Sequence, residues 1–319
     1  MQVILFFALA FFSIFLSIKI SIYADNLSNS SRFNSGIIGG VFLAGVTSLP
    51  ELITCISSVK IGNPYLAVGN ILGSNVFNIF IICFFDLVFL KQMIFNKTCF
   101  KKHKLIYFLS LINYVVIILA MFNIINFSFF NLGVPSVIIF ITYIYYLICV
   151  YKNKESDGRV VPQTIYKHLG AKVLLTCIFL VISSILLTIV VNNIALNNSR
   201  FSSSLIGAVL LGITTSLPEV VSYYTLIVIK NYDLALSNII GSNFFNLFVL
   251  SIGDLVLDAN IYNFTDSKSY ILILLVSFFT IISLLQNIKS SNRYNFLYFI
   301  PSLIIVTLYL LFWGVNFIH

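Results

Sequence analysis

The stretch Gly45-Val46-Thr47-Ser48-Leu49-Pro50-Glu51 returns 168 residues later as Ile213-Thr214-Thr215-Ser216-Leu217-Pro218-Glu219. Each copy lies inside a long apolar run. A carboxylate at membrane depth is costly, so it faces a cavity or a partner rather than lipid. The proline beside it cannot donate a backbone hydrogen bond, which leaves carbonyls free to face an ion. Two interrupted segments of this kind, in corresponding places of two halves, mark the binding site of a transporter.

The rest of the chain fits that reading. Of its 319 residues, 60% are hydrophobic and 9% charged, with a mean hydropathy of +1.04. Those values exclude an ordinary soluble domain and a disordered chain, and imply a polytopic protein in a lipid bilayer. Val3 to Tyr23 lacks the basic start and cleavage site of a signal peptide and reads as a first span. Cys55, Cys83, Cys99, Cys149 and Cys177 form no CxxC pair and read as small packing residues.

A spanning helix needs about 20 mostly apolar residues. That ruler gives ten stretches: 3–23, 36–59, 65–90, 105–122, 133–151, 169–191, 203–229, 232–257, 269–286 and 296–317. The expected fold is an all-α polytopic membrane protein whose ten transmembrane helices form two inverted five-helix repeats, with helices broken at the midplane. The first repeat is 1–151, 152–167 is a short cytoplasmic linker, and 168–319 is the second repeat.

The duplication holds its register over a long distance. At the same offset Arg32-Phe33 matches Arg200-Phe201, Gly39 matches Gly207, and Asn63 matches Asn231. Further on Asn70 matches Asn238, Gly73-Ser74-Asn75 matches Gly241-Ser242-Asn243, and Asp86 matches Asp254. Five spans per half, an odd number, turn the second half over. Loop charge agrees: with both termini outside, cytoplasmic loops hold fourteen lysines and arginines, among them Lys91, Lys97, Lys101, Lys102 and Lys230. Outside loops hold only Lys60, Arg200 and Lys268. This positive-inside bias accounts for the net charge of +8 without a nucleic-acid partner.

Positions i and i+4 share a helix face. Thr47 and Glu51 therefore point the same way with Ser48 beside them, as do Thr215, Ser216 and Glu219. In the following span Ser74 and Asn78 repeat as Ser242 and Asn246. The cluster offers two carboxylates, six hydroxyls and two amide oxygens, and the carbonyls of Ala44 and Gly212 stand near the breaks. Hard oxygen donors suit Ca²⁺ and Na⁺ and are poor for Zn²⁺ or Cu⁺. Gly69, Gly73 and Gly241 read as close-packing positions.

The pattern Gly/Ile-x-Thr-Ser-Leu-Pro-Glu, followed by Gly/Ser-Asn-Ile-x-Gly-Ser-Asn-x-Phe-Asn, resembles the alpha repeats of the sodium/calcium exchangers in the cation/calcium antiporter superfamily. The resemblance covers residues 36–90 and 203–258. It implies that Glu51 and Glu219 bind both Ca²⁺ and Na⁺, and that Thr47, Thr215 and the carbonyls of Ala44 and Gly212 complete the cation sites. Ser48, Ser74, Ser216 and Ser242 would line them, with Asn78 and Asn246 at the centre. It further implies alternating access by sliding of the first and sixth spans, no cofactor beyond the transported Ca²⁺ and Na⁺, and no protein partner. Many relatives carry Asp where this chain has Asn246. In the family that Asp accompanies potassium co-transport, so Asn argues against a potassium-dependent type.

The expected function is thus Ca²⁺/Na⁺ exchange by a secondary antiporter in the plasma membrane, not an enzyme. The alternatives are a divalent cation/H⁺ antiporter of the same fold and a channel or other non-transporting membrane protein. His103, His168 and His319 are expected in loops or at the terminus, away from any hydrolytic chemistry. No Walker A segment appears. Asp86 and Asp254 are open to two roles, as vestibule charges or as helix-end anchors.

Overall fold

A computed structural model describes residues 2–30, 37–125, 128–129, 132–152, 169–196, 212–257, 259–288 and 296–318. In lipid a backbone must satisfy its own polar groups, so apolar stretches of this length become helices. The first half contains α1 (Gln2–Ser30), α2 (Ile38–Thr47), α3 (Leu49–Lys60), α4 (Pro64–Val88), α5 (Phe100–Met121) and α6 (Val134–Lys152). The second contains α7 (Leu169–Leu196), α8 (Gly212–Thr215), α9 (Leu217–Val228), α10 (Tyr232–Val256), α11 (Ser267–Ile288) and α12 (Ile300–Ile318).

Among the described residues six helices are long and apolar enough to cross a membrane, and α2 with α3 passes as one span bent by 45°. Leu169–Ser183, Leu217–Val228 and Ile300–Val315 are shorter apolar helices. Large apolar side chains such as Phe7, Phe11, Ile141, Leu274 and Leu310 face outward, as a lipid-embedded surface requires. The chain is an integral membrane protein.

The two most buried helices are α4 and α10, packed on each other at the centre. Each begins at a repeated asparagine: Asn63 Oδ1 accepts from the Leu66 N–H at 3.3 Å, and Asn231 Oδ1 from the Leu234 N–H at 3.2 Å. These side chains supply acceptors to helix-start donors that have no partner within the helix. Around the pair, α11 and α12 pack on α4, while α6, α9 and the start of α2 pack on α10. Helix α1 runs along α7 and α9, joined by Ser13–Ser183 at 2.9 Å and Ser21–Ser222 at 2.8 Å.

The structure corrects three expectations. A small antiparallel ladder joins α5 to α6, with Ser128–Phe129 (β1) paired to Leu132–Gly133 (β2), so the fold is not purely helical. Helix α1 runs past residue 23, because Asp25 accepts from Asn231 Nδ2 at 2.6 Å and anchors the extra polar turn. His103 belongs to no loop: it is buried in α5, 3.4 Å from Asp233 Oδ1 and 3.3 Å from Ser237 Oγ. The apolar ruler starts that span at residue 105, yet Asp233 draws the basic turn into the fold through Lys102 at 2.9 Å and the Cys99 N–H at 2.7 Å.

Asp86 and Asp254 are helix-end anchors. Asp86 accepts from the Ile94 N–H, Tyr298 O–H, Ser302 O–H and Gln286 Nε2 at 2.8–3.2 Å. Asp254 accepts from the Gly133 N–H, Ser136 O–H and Ile261 N–H at 2.6–2.8 Å. Gly241 is a close-packing position: a Cβ there would lie 2.6 Å from both the Cα and the O of Gly40. Arg32, Phe33, Arg200, Phe201, Gly207, His168, His319, residues 203–211 and linker residues 153–167 lie outside the described residues.

Candidate functional site

Both repeated motifs break their helix in the same way. Ser48 stands between α2 and α3 at φ −94°, ψ 9°, and Ser216 between α8 and α9 at φ −83°, ψ 4°. Pro50 and Pro218 have no N–H to return to the carbonyls of Val46 and Thr214, four residues back. Each break puts a glutamate in the first turn of the following helix, where the positive end of the helix dipole favours a carboxylate. The carbonyl end of the preceding helix faces the same place and favours a cation.

The two carboxylates are fully buried, at 0% exposure. Each is held by the serine of the other motif. Ser48 Oγ donates to Glu219 Oε1 at 2.7 Å, and Ser216 Oγ donates to Glu51 Oε1 at 3.1 Å. Ser74 Oγ lies 3.5 Å from Glu51 Oε1, 3.2 Å from the Gly212 carbonyl and 3.5 Å from Thr215 Oγ1. On the other side Thr47 Oγ1 is 3.4 Å from Ser242 Oγ. Glu51 Oε2 and Glu219 Oε2 have no hydrogen-bond partner.

The carbonyls of Ala44 and Gly212 keep their helical partners, the N–H groups of Ser48 at 3.0 Å and Ser216 at 3.2 Å. The second lone pair of each faces a hydroxyl, Thr47 Oγ1 at 3.3 Å from the Ala44 oxygen and Ser74 Oγ at 3.2 Å from the Gly212 oxygen, so a cation there competes with that hydroxyl.

Asn78 and Asn246 sit across a second symmetric network that the sequence did not reveal. Asn75 Nδ2 donates to the Asn243 carbonyl at 3.1 Å, and Asn243 Nδ2 to the Asn75 carbonyl at 3.0 Å. A carbonyl only accepts, so both amide orientations are fixed with Oδ1 turned away. Asn78 Nδ2 donates to Asn243 Oδ1 at 3.0 Å and Asn246 Nδ2 to Asn75 Oδ1 at 2.9 Å. Asn78 Oδ1 and Asn246 Oδ1 are therefore left as buried acceptors without donors. Asn75 meets Asn246 while Asn78 meets Asn243, the register of helices running in opposite directions. The signal available in sequence was the Asn75/Asn243 repeat itself, but nothing there told a cross-link from a ligand.

All twelve expected site residues lie in the described part of the chain and are buried. Nine of them join in the hydrogen bonds around the glutamates, namely Thr47, Ser48, Glu51, Ser74, Thr215, Ser216, Glu219, Ser242 and the Gly212 carbonyl. Ala44 joins through Thr47 Oγ1, 3.3 Å from its carbonyl, while Asn78 and Asn246 belong to the amide network. Four buried oxygens, those of Glu51 Oε2, Glu219 Oε2, Asn78 Oδ1 and Asn246 Oδ1, lack a hydrogen-bond donor, and a hard cation is a partner suited to such oxygens. The donors are carboxylate, hydroxyl, amide and carbonyl oxygens, a hard set, and among the described residues no three His, Cys, Asp or Glu gather.

Comparison with known proteins adds to this geometry. The family model described as sodium/calcium exchanger protein matches residues 1–152 and 168–318. CaxA of Alkalimonas amylolytica, named as an antiporter, is 26% identical over 248 residues, 73% of this chain and 74% of that one. MaX1, a sodium/calcium exchanger of Methanosarcina acetivorans, is 46% identical over 46 residues, 14% of this chain and 13% of that one. The solved sodium/calcium exchanger of Methanococcus jannaschii has a TM-score of 0.68 at 19% identity over 98% of each chain, which is a likeness of fold. With the family model matched over nearly the whole sequence, the chain belongs to the sodium/calcium exchanger protein family, a family of membrane transporters and not of enzymes.

Proposed function

We propose that this chain exchanges Ca²⁺ for Na⁺ by alternating access, with Glu51 and Glu219 as the charged ligands of one central site. The observation that carries the reading is the reciprocal pair of buried glutamates, each held by the opposite motif's serine and each left with one unpartnered oxygen. A buried charge needs a partner, and among the described residues neither carboxylate has an ion pair. Two carboxylates balance one Ca²⁺ or two Na⁺, so the two ions compete for the same oxygens. Thr47, Thr215, Ser48, Ser74, Ser216, Ser242 and the carbonyls of Ala44 and Gly212 complete the shell, with Asn78 and Asn246 at its centre.

The antiparallel crossing of α4 and α10 supports two inverted repeats, 1–151 and 168–319, of five spans each. The α1–α7 pair lies against α2, α3, α8 and α9, the elements that carry the breaks. Sliding of that pair would uncover the site to one side and then the other. The positive-inside bias of the basic loops supports an orientation with both termini outside, in a plasma membrane.

Radiolabelled Ca²⁺ uptake into proteoliposomes loaded with Na⁺, K⁺ or acidic buffer tests this. Uptake with the Na⁺ gradient alone is expected. Uptake driven only by the pH gradient assigns the chain to proton coupling instead, and uptake under neither removes Ca²⁺ as the substrate.

A further inference from the structure

Each central helix carries one more buried asparagine that the site above leaves unused. Asn70 lies four residues before Ser74 and Asn238 four before Ser242, so each shares a helix face with a site serine. Asn70 Oδ1 accepts from Thr215 Oγ1 at 3.4 Å, while its Nδ2 is unpartnered. Asn238, fully buried, has no partner for either Oδ1 or Nδ2. The residue equivalent to Thr215 in the other half is Thr47, and its hydroxyl lies 3.1 Å from the Leu43 carbonyl and 3.3 Å from that of Ala44.

Asn75 and Asn243 show what a structural asparagine looks like in this protein: both their amide ends are hydrogen-bonded across the helix pair. Asn238 makes no such cross-link. Leucine would fill a similar volume without burying an unsatisfied amide, so packing does not explain the residue.

Asn238, Ser242 and Asn246 form a line on α10, and Asn70, Ser74 and Asn78 the same line on α4, each about 12 Å long at the helical rise. Because the two helices run in opposite directions, Asn70 and Asn238 stand at opposite ends of the glutamate site. An amide oxygen is a hard, neutral donor. It can replace a water on Na⁺ or Ca²⁺ and still let the ion go, as a conduction path requires.

We propose that Asn70 and Asn238 are further cation ligands, one at each mouth of the central site, each serving the ion as it enters or leaves on its own side. The present conformation has the Asn70 oxygen capped by Thr215 and the Asn238 oxygen buried without a donor. This inference rests on the exchange function proposed above and adds to it a sided pair of ligands.

The test is Na⁺-driven uptake of radiolabelled Ca²⁺ in right-side-out and inside-out membrane vesicles, with Asn70→Leu and Asn238→Leu beside the unaltered protein. Each variant is expected to raise the half-saturating cation concentration about tenfold on one face only, and the two on opposite faces. The Asn238→Leu protein should also unfold at the same or a higher temperature than the unaltered one, since an unsatisfied amide has been removed. Equal shifts on both faces, shifts on the same face or no shift would overturn the assignment. If either leucine variant does not insert, Asn238→Ser and Asn70→Ser read the same sidedness with a shorter oxygen donor. An unaltered protein that exchanges normally beside unshifted variants sinks this inference alone; one that exchanges nothing overturns the exchange function and this inference with it.

Discussion

Ser48 Oγ donates to Glu219 Oε1 at 2.7 Å, across 171 residues of sequence, and joins the break of one half to the carboxylate of the other. Its counterpart, Ser216 to Glu51, is longer at 3.1 Å. Each glutamate is held by the serine of the opposite motif, so the site exists only when both halves are docked.

Glu51→Gln and Glu219→Gln keep the side-chain volume and remove half the charge facing a divalent ion. Losing one member of a buried charge pairing costs about 2–5 kcal/mol, roughly thirtyfold or more in affinity. Exchange by either variant should fall to background while size-exclusion profiles stay unchanged. A well-inserted Glu51→Gln protein with unaltered flux would remove the glutamates from the site.

Ser48→Ala and Ser216→Ala should differ. A hydrogen bond to a charged group is worth about 1.5–3 kcal/mol, and the shorter bond belongs to Ser48. Titration of Ca²⁺ binding should therefore show the larger loss for Ser48→Ala, about tenfold or more. Equal losses would mean that the 2.7 Å contact has no energetic weight of its own.

The breaks, the carboxylates and the hydroxyl stripe were legible in sequence because each is a local pattern: a proline, an acid in an apolar run, and i, i+4 spacing. The asparagine cross-link was not, because Asn75 and Asn243 find each other only when two central helices cross. Asp86 and Asp254 illustrate the same limit. Their spacing from the site allowed a vestibule role, and only contacts over 100 residues away, such as Asp86 with Tyr298 and Asp254 with Gly133, identify them as anchors. His103 was misplaced because charge in a helix's first turn looks like a loop until its partner Asp233 is seen.

Asp86→Ala should act on stability and not on ion affinity. It strands the Tyr298 hydroxyl and the Ile94 N–H, each an unsatisfied donor that costs about 1–3 kcal/mol when buried, while Ser302 and Gln286 keep their bonds to each other. Thermal unfolding in detergent should shift down, while Ca²⁺ affinity of the folded fraction stays within about twofold. A selective loss of affinity would restore the vestibule role.

Gly241→Ala tests the crossing that sets the site's width. The added Cβ would stand 2.6 Å from Gly40 Cα and O and 2.9 Å from Ala44 Cβ, contacts with backbone that cannot rotate away. Overpacking of this kind costs about 1–3 kcal/mol or more, so lower yield and a lower unfolding temperature are expected. Gly45→Ala, whose Cβ would meet nothing within 4 Å, is the neutral control. Two equally stable variants would show that α2 and α10 do not pack this closely.

Cys99 offers a native probe of topology. It is the one exposed thiol, at the start of α5, while Cys55 and Cys83 are buried and Cys149 and Cys177 half-buried. It lies beside Lys97, Lys101 and Lys102, the basic segment that the positive-inside bias assigns to the cytoplasm. A membrane-impermeant maleimide should therefore label inside-out vesicles and leave right-side-out vesicles unlabelled, and Cys99→Ser should abolish the signal. Labelling of right-side-out vesicles would turn the whole molecule over in the membrane. Because α4 and α10 run in opposite directions, it would also exchange the faces assigned to the two halves while leaving the carboxylate site intact.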